Sequence, residues 1–131
     1  MQSLGAIQPS AEPISFSIQN DFFPKIRIVR RTMFSHVVIF WTDASNPKGA
    51  DELIEGANKY LKPIPGVLHY HIGRMVPSHR PVVDQSYQVA LNLAFPDKKA
   101  QDDYQVHPLH VDFVEKVFKR VCTKVIVYDF A

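Results

Sequence analysis

The sequence predicts an α+β domain, a four-stranded antiparallel sheet with two helices on one face. Two observations predict it. Four segments read as strands, by alternation or by unbroken apolar character, and two others repeat apolar residues at helical spacing. Their order is strand, helix, strand, strand, helix, strand. A length of 131 residues, with 46% hydrophobic and 21% charged residues, suits a single domain with one core.

Residues 1–32 stand apart. Pro9, Pro13 and Pro24 punctuate them, and the short alternations at Ile14–Ile18 and Ile26–Arg30 are too isolated to build a core. They are expected to form an N-terminal arm that packs on a sheet edge or a partner chain, leaving 33–131 as the domain proper. Met33 to Thr42 reads as a central strand: Val37, Ile39 and Trp41 face one way, His36, Val38 and Phe40 the other. Asn46-Pro47 is expected to start the first helix, as N-cap and first helical residue. Ala50, Leu53, Ile54, Ala57 and Leu61 follow at helical spacing, Pro63 stops the helix, and Pro65-Gly66 turns the chain. Val67 to Met75 is the second strand, with Val67, His69 and His71 on one face and Leu68, Tyr70 and Ile72 on the other. The connection from Val76 to Ser86 is longer than a hairpin needs and is expected to be mobile and to cover a site. Tyr87 to Phe95 is the third strand, with Tyr87, Val89, Leu91, Leu93 and Phe95 forming its apolar face. Pro96-Asp97 opens a short helix ending near His107, Pro108 opens another that reaches about Arg120, and Val121 to Phe130 is the last strand.

This order is the ferredoxin-like βαββαβ pattern. Helices cover one face of such a sheet. The other still carries apolar side chains mixed with His, Gln and Asn, and packing two sheets together as a homodimer is the simplest way to dry it.

Composition excludes several classes of function. A formal charge of +2 gives no footprint for nucleic acid, and the cluster Lys25, Arg27, Arg30 and Arg31 has no aromatic ladder beside it. One cysteine, Cys122, excludes an internal disulfide, and its apolar neighbours mark it as a small core residue. No apolar run approaches the roughly 18 residues of a membrane span, and the N-terminus lacks the pattern of a signal peptide. A cytoplasmic protein is expected. There is no Gly-rich phosphate loop, no Ser–His–Asp arrangement and no heme or flavin signature, so no cofactor is expected. His69 and His71 share a strand face, but a zinc site needs three or four ligands and no Cys, Asp or Glu stands at supporting spacing, so no metal is expected.

The richest stretch is Tyr104-Gln105-Val106-His107-Pro108-Leu109-His110. His110 falls in register with the apolar series Phe113, Val114, Val117, Phe118 and Val121, which places it on the buried face. Pro108 breaks the helix near His107, so that Tyr104, His107 and His110 point toward the core. A histidine and a phenol can supply a base and a hydrogen-bond donor. Tyr104, His107 and His110, with His36 of the first strand, are therefore the candidate site residues. His36 is expected to pair with His107, His110 or a backbone group.

With these residues in view, the chain from about 33 to 130 resembles the stress-responsive α/β-barrel (dimeric α-β barrel, Dabb) domain family. The resemblance rests on His36 in the first strand, Pro65-Gly66-Val67 before the second, the Tyr104…His107-Pro108-Leu109-His110 signature, and Val127-Tyr128-Asp129 in the last strand. It implies a dimeric α+β barrel of two ferredoxin-like chains, in a family most of whose members have no known activity. One plant member is a polyketide cyclase that closes a poly-β-keto chain by aldol condensation without a metal. The resemblance implies that Tyr104 and His110 correspond to its catalytic pair and His36 to a histidine lining its pocket. The cyclase has a further histidine early in its third strand, where this chain has Gln88 and Val89. The expected function is a homodimer that binds a small organic molecule between helices and sheet. A cyclase-like acid–base enzyme and a purely structural stress-linked dimer are the alternatives.

Overall fold

The computed structural model describes residues 32–131, so the expected arm lies, apart from Thr32, outside the described residues. Four strands, β1 (Phe34–Thr42), β2 (His69–Arg74), β3 (Val89–Phe95) and β4 (Cys122–Phe130), form one antiparallel sheet in the order β2-β3-β1-β4. The helices are α1 (Gly49–Tyr60), α2 (Lys98–Val106), α3 (Pro108–Phe113) and α4 (Lys119–Val121), with a π-helical segment at Val114–Phe118 between the last two. The fold is the predicted ferredoxin-like one.

Alternation in the strands decides which side chains meet the helices. Phe34, His36, Val38 and Phe40 of β1 and Val89, Leu91, Leu93 and Phe95 of β3 are buried on one face. Against them α1 lays Ala50, Leu53 and Ala57, the stripe expected from its spacing, and Leu53 and Ala57 are fully enclosed. Burying a leucine of this kind stabilises the fold by about 1.5–3 kcal/mol. Leu61 and Ile64 continue the cluster past the helix end, and Gly66, at φ +90°, makes the turn before β2 in a conformation that glycine alone adopts freely.

Three local details differ from the sequence pattern. The first helix begins at Gly49, not Pro47, because the Asn46 Oδ1 accepts the Lys48 N–H at 3.1 Å and holds a separate turn ahead of it. Leu68 is 63% exposed and does not share the buried side of Tyr70 and Ile72, since β2 starts only at His69. The helix expected from Pro108 to Arg120 is interrupted by the π-helical segment, in which each hydrogen bond spans one residue more.

That segment meets α1 at Gly56. A Cβ built on Gly56 comes within 2.7 Å of both Val117 methyl carbons, a contact that a stiff β-branched side chain cannot relieve by rotation. Gly56→Ala is expected to cost about 1–3 kcal/mol by overpacking. Urea denaturation checks this, and restored stability in Gly56→Ala/Val117→Ala identifies the contact as the cause.

Among the described residues no helix covers the other face of the sheet. In register across it run His71, Asn92, Val37 and Tyr128, and beside them Gly73, Ala90, Ile39 and Ile126. Val37, Ile39, Trp41 and Ile126 are only half-buried, and Tyr128 and Phe130 are 57% and 60% exposed. This is the uncovered apolar surface that the strand pattern predicts. Among the described residues no helix is long and apolar enough to cross a membrane.

Candidate functional site

The chain break at His107 shapes the site. The residue before a proline is driven out of the helical region, and His107 sits at φ −62°, ψ 140°, ending α2 and preceding α3. Its ring Nδ1 accepts the Leu109 N–H at 3.1 Å, so the side chain is the N-cap of α3. The structure places His107 outside the cavity described below, because its imidazole is used to start a helix.

Tyr104, on the last turn of α2, is 1% exposed and wedged among rings. Its centroid lies 5.2 Å from Phe95, 5.0 Å from His110 and 6.1 Å from His36, each pair edge to face. Three of the four predicted site residues are thus brought together. Burial, with Tyr70 nearby, pushes the Tyr104 phenol far above its ordinary range, so it is a protonated donor at any physiological pH. Among the described residues nothing hydrogen-bonds its hydroxyl, and no fully buried side-chain oxygen or nitrogen is left without a partner. The hydroxyl therefore opens onto the cavity.

That cavity measures about 170 Å³. Its walls are Val38, Phe40, Leu91, Phe113, Val114 and Phe118 with Val125 and Val127 of β4, and its polar lining is His36, Tyr104, Gln105 and His110. A cavity of roughly 150 Å³ admits a benzene molecule, so this one suits a single small ring. β4 is an edge strand that the helices cover poorly, and Val125 and Val127 are 39% and 46% exposed, which places the mouth there.

The two imidazoles have opposite partners. His36 Nδ1 lies 2.5 Å from the Asp129 carboxylate, across the β1–β4 pair that sets the two residues side by side. The sequence expectation for His36, a histidine or backbone partner, is corrected to Asp129. A carboxylate accepts, so the His36 Nδ1 carries the proton. His110 Nε2 faces the Gln105 Nε2 at 3.3 Å. Burial lowers the His110 pKa, with His36 as a second cause, and keeps the ring neutral at neutral pH.

Asp129 and Gln105 are the partners of the two candidate histidines that sequence reasoning missed. The signal for Asp129 was its position on β4, but its pairing with His36 needed the register. Gln105 lies inside the signature stretch and was passed over as spacing.

Other candidates fall elsewhere. His69 and His71 lie on the uncovered face, and among the described residues no cluster of His, Cys, Asp or Glu suits a metal ion. Cys122 is half-buried against the core, and burial raises its thiol to about 11, which suits packing better than nucleophilic attack. The long connection, expected to cover the site, contributes nothing to the cavity lining. Ser86 and Gln88 tie its end to Trp41 and Thr42 at the far end of β1.

A family model described as the stress responsive A/B barrel domain matches residues 34–131. No curated protein matches. Among solved structures, a ferredoxin-like Dabb family protein of Mesorhizobium loti is 29% identical, with 76% of this chain and 95% of that one covered at a TM-score of 0.62. A dimeric ferredoxin-like protein of unknown function from Thermobifida fusca is 17% identical, covering 78% and 92% at 0.62. The hydroxynitrile lyase of Passiflora edulis is 15% identical, covering 76% and 93% at 0.64. The last two likenesses show the fold alone. With the family model spanning the whole sheet and every helix of the site, the chain belongs to the stress responsive A/B barrel domain family.

Proposed function

We propose that the protein acts as a homodimer and binds a small organic molecule bearing a carbonyl group in the cavity between α3, the π-helical segment and the sheet. One observation carries this reading: a buried tyrosine hydroxyl with no partner among the described residues, open to an apolar cavity that two histidines also line. Apolar walls give affinity to a carbon skeleton, and a few convergent polar groups orient it. A phenol donor favours a ligand oxygen that accepts. Dimerisation is supported by the uncovered apolar face and by the dimeric state of the Thermobifida fusca protein.

A second reading is acid–base chemistry on the bound carbonyl compound, as in a polyketide-cyclase-like reaction that uses Tyr104 and His110. It is favoured by the direct packing of their rings at the cavity wall. The fold is shared with a lyase, but fold alone does not carry an activity between relatives.

Titration of the ¹⁵N-labelled chain with cyclohexanone and with benzaldehyde tests the binding reading. Saturable shifts are expected at cavity residues such as Val38 and Val114, and Tyr104→Phe and His110→Ala should each weaken binding by about 3–10-fold, the worth of one neutral hydrogen bond. The reading is wrong if neither probe gives saturable shifts, or if both variants bind as the wild type does.

A further inference from the structure

The connection between β2 and β3 is held in shape by its own hydrogen bonds. Its stem closes where the Met75 N–H donates to the Gln88 carbonyl at 3.1 Å. Further out, the Gln85 side chain clamps Ser78 in both directions. Its Oε1 accepts the Ser78 N–H at 2.9 Å, and its NH₂ donates to the Ser78 carbonyl at 2.7 Å. The amide does here what a paired strand residue would do. Inside the clamp the Arg80 N–H donates to Ser78 Oγ and the Val83 N–H to the Arg80 carbonyl, each at 3.1 Å. Pro77 and Pro81 fix two more backbone angles.

No described residue covers the apolar side chains that this loop carries. Val76 is 74% exposed and Val82 79%. A compact loop with its ends tied together, holding valines in water, is suited to recognition. Its root lies on the side of the sheet that the helices leave open. Trp41 shares the strand face of Val37 and Ile39, its indole N–H donates to Ser86 Oγ at 3.1 Å, and the Tyr87 ring stands edge to face with it.

The size of the open face calls for a further contact. Four strands about 4.8 Å apart, paired over about six residues, give a footprint of roughly 400 Å². A stable dimer buries about 800 Å² on each partner. The interface must therefore extend past the rim of the sheet.

We propose that residues 76–86 grip the second copy of the chain, with Val76 and Val82 packed against it beyond the rim. This goes beyond the homodimer reading and rests on it. A loop already closed by its own bonds has little freedom left to lose on association, so a small apolar contact adds to affinity. Two-fold symmetry uses that contact twice.

Sedimentation equilibrium of the full chain over a dilution series reads the dimer dissociation constant. Val76→Asp and Val82→Asp are each expected to raise it about 10–100-fold, because each puts a carboxylate into an apolar contact that occurs twice. Gln85→Ala, which opens the clamp, should raise it about 3–10-fold by restoring freedom that association must then remove. Val106→Asp, at an equally exposed valine on α2, should leave it unchanged. Circular dichroism should show wild-type helix and strand content in every variant, since none of these side chains is in the core. A wild-type dimer that Ile39→Asp breaks but both loop variants leave intact overturns the grip and keeps the homodimer reading. A loss in Val106→Asp as large as in Val82→Asp overturns the grip as well. A wild-type chain that is monomeric at micromolar concentration overturns both.

Discussion

Aspartate in place of Ile39 is expected to leave the chain monomeric and folded. Ile39 stands at the centre of the uncovered sheet face, opposite Ala90 on β3 and Ile126 on β4. In a single chain its side chain already meets water and touches none of the core, which lies on the other face of β1. The substitution should therefore cost the monomer little. In a two-fold dimer the same face meets itself, so each interface would bury two carboxylates without partners. An unpaired buried charge costs about 3–5 kcal/mol, and each 1.4 kcal/mol is a factor of ten in the dissociation constant. An interface of about 1,600 Å² does not survive two such losses. Sedimentation at micromolar concentration reads the result. Ile39→Asp that still sediments as a dimer would place the interface elsewhere.

Two substitutions at Tyr104 are expected to separate by several kcal/mol. Tyr104→Ala removes a fully enclosed ring packed on Phe95, His36 and His110, and should cost about 3–5 kcal/mol. Tyr104→Phe keeps every ring contact. Because no described residue bonds the hydroxyl, its loss should change stability by less than about 1 kcal/mol. Urea denaturation of both variants checks this. Should Tyr104→Phe instead lose 2 kcal/mol or more, on the order of a buried hydrogen bond left unmade, the hydroxyl is serving the fold. The purely structural account of the signature would then be preferred over a ligand site.

Much of this was legible in the residues. Alternation in Phe34–Thr42 and Val89–Phe95 placed both inner faces correctly, because side-chain direction in a strand follows residue parity alone. Tyr104 and His110 were legible as neighbours for a similar reason: they flank one proline break, and the local backbone carries both to the same wall. The role of His107 was legible in principle, since an extended residue before a helix-opening proline is a cap position. Its imidazole invited a ligand role that its place in the chain does not support. The start of α1 slipped because Asn46 bonds the backbone two residues on, a choice between cap and turn that its side chain can make either way.

By itself, the sequence determined the order of the strands and helices, the two faces of the sheet, and the set of polar residues near the break. Each of these follows from periodicity or from a proline, and both act over a few residues. Only the tertiary structure decided what each polar group meets. His36 and Asp129 are 93 residues apart, and their contact exists because β4 lies antiparallel beside β1 in one register; a slip of one residue would turn Asp129 to the other face. The cavity is likewise non-local, left where the π-helical segment and α3 stand over the poorly covered edge strand. Short-range patterns choose elements, whereas partners and empty space come from how elements pack.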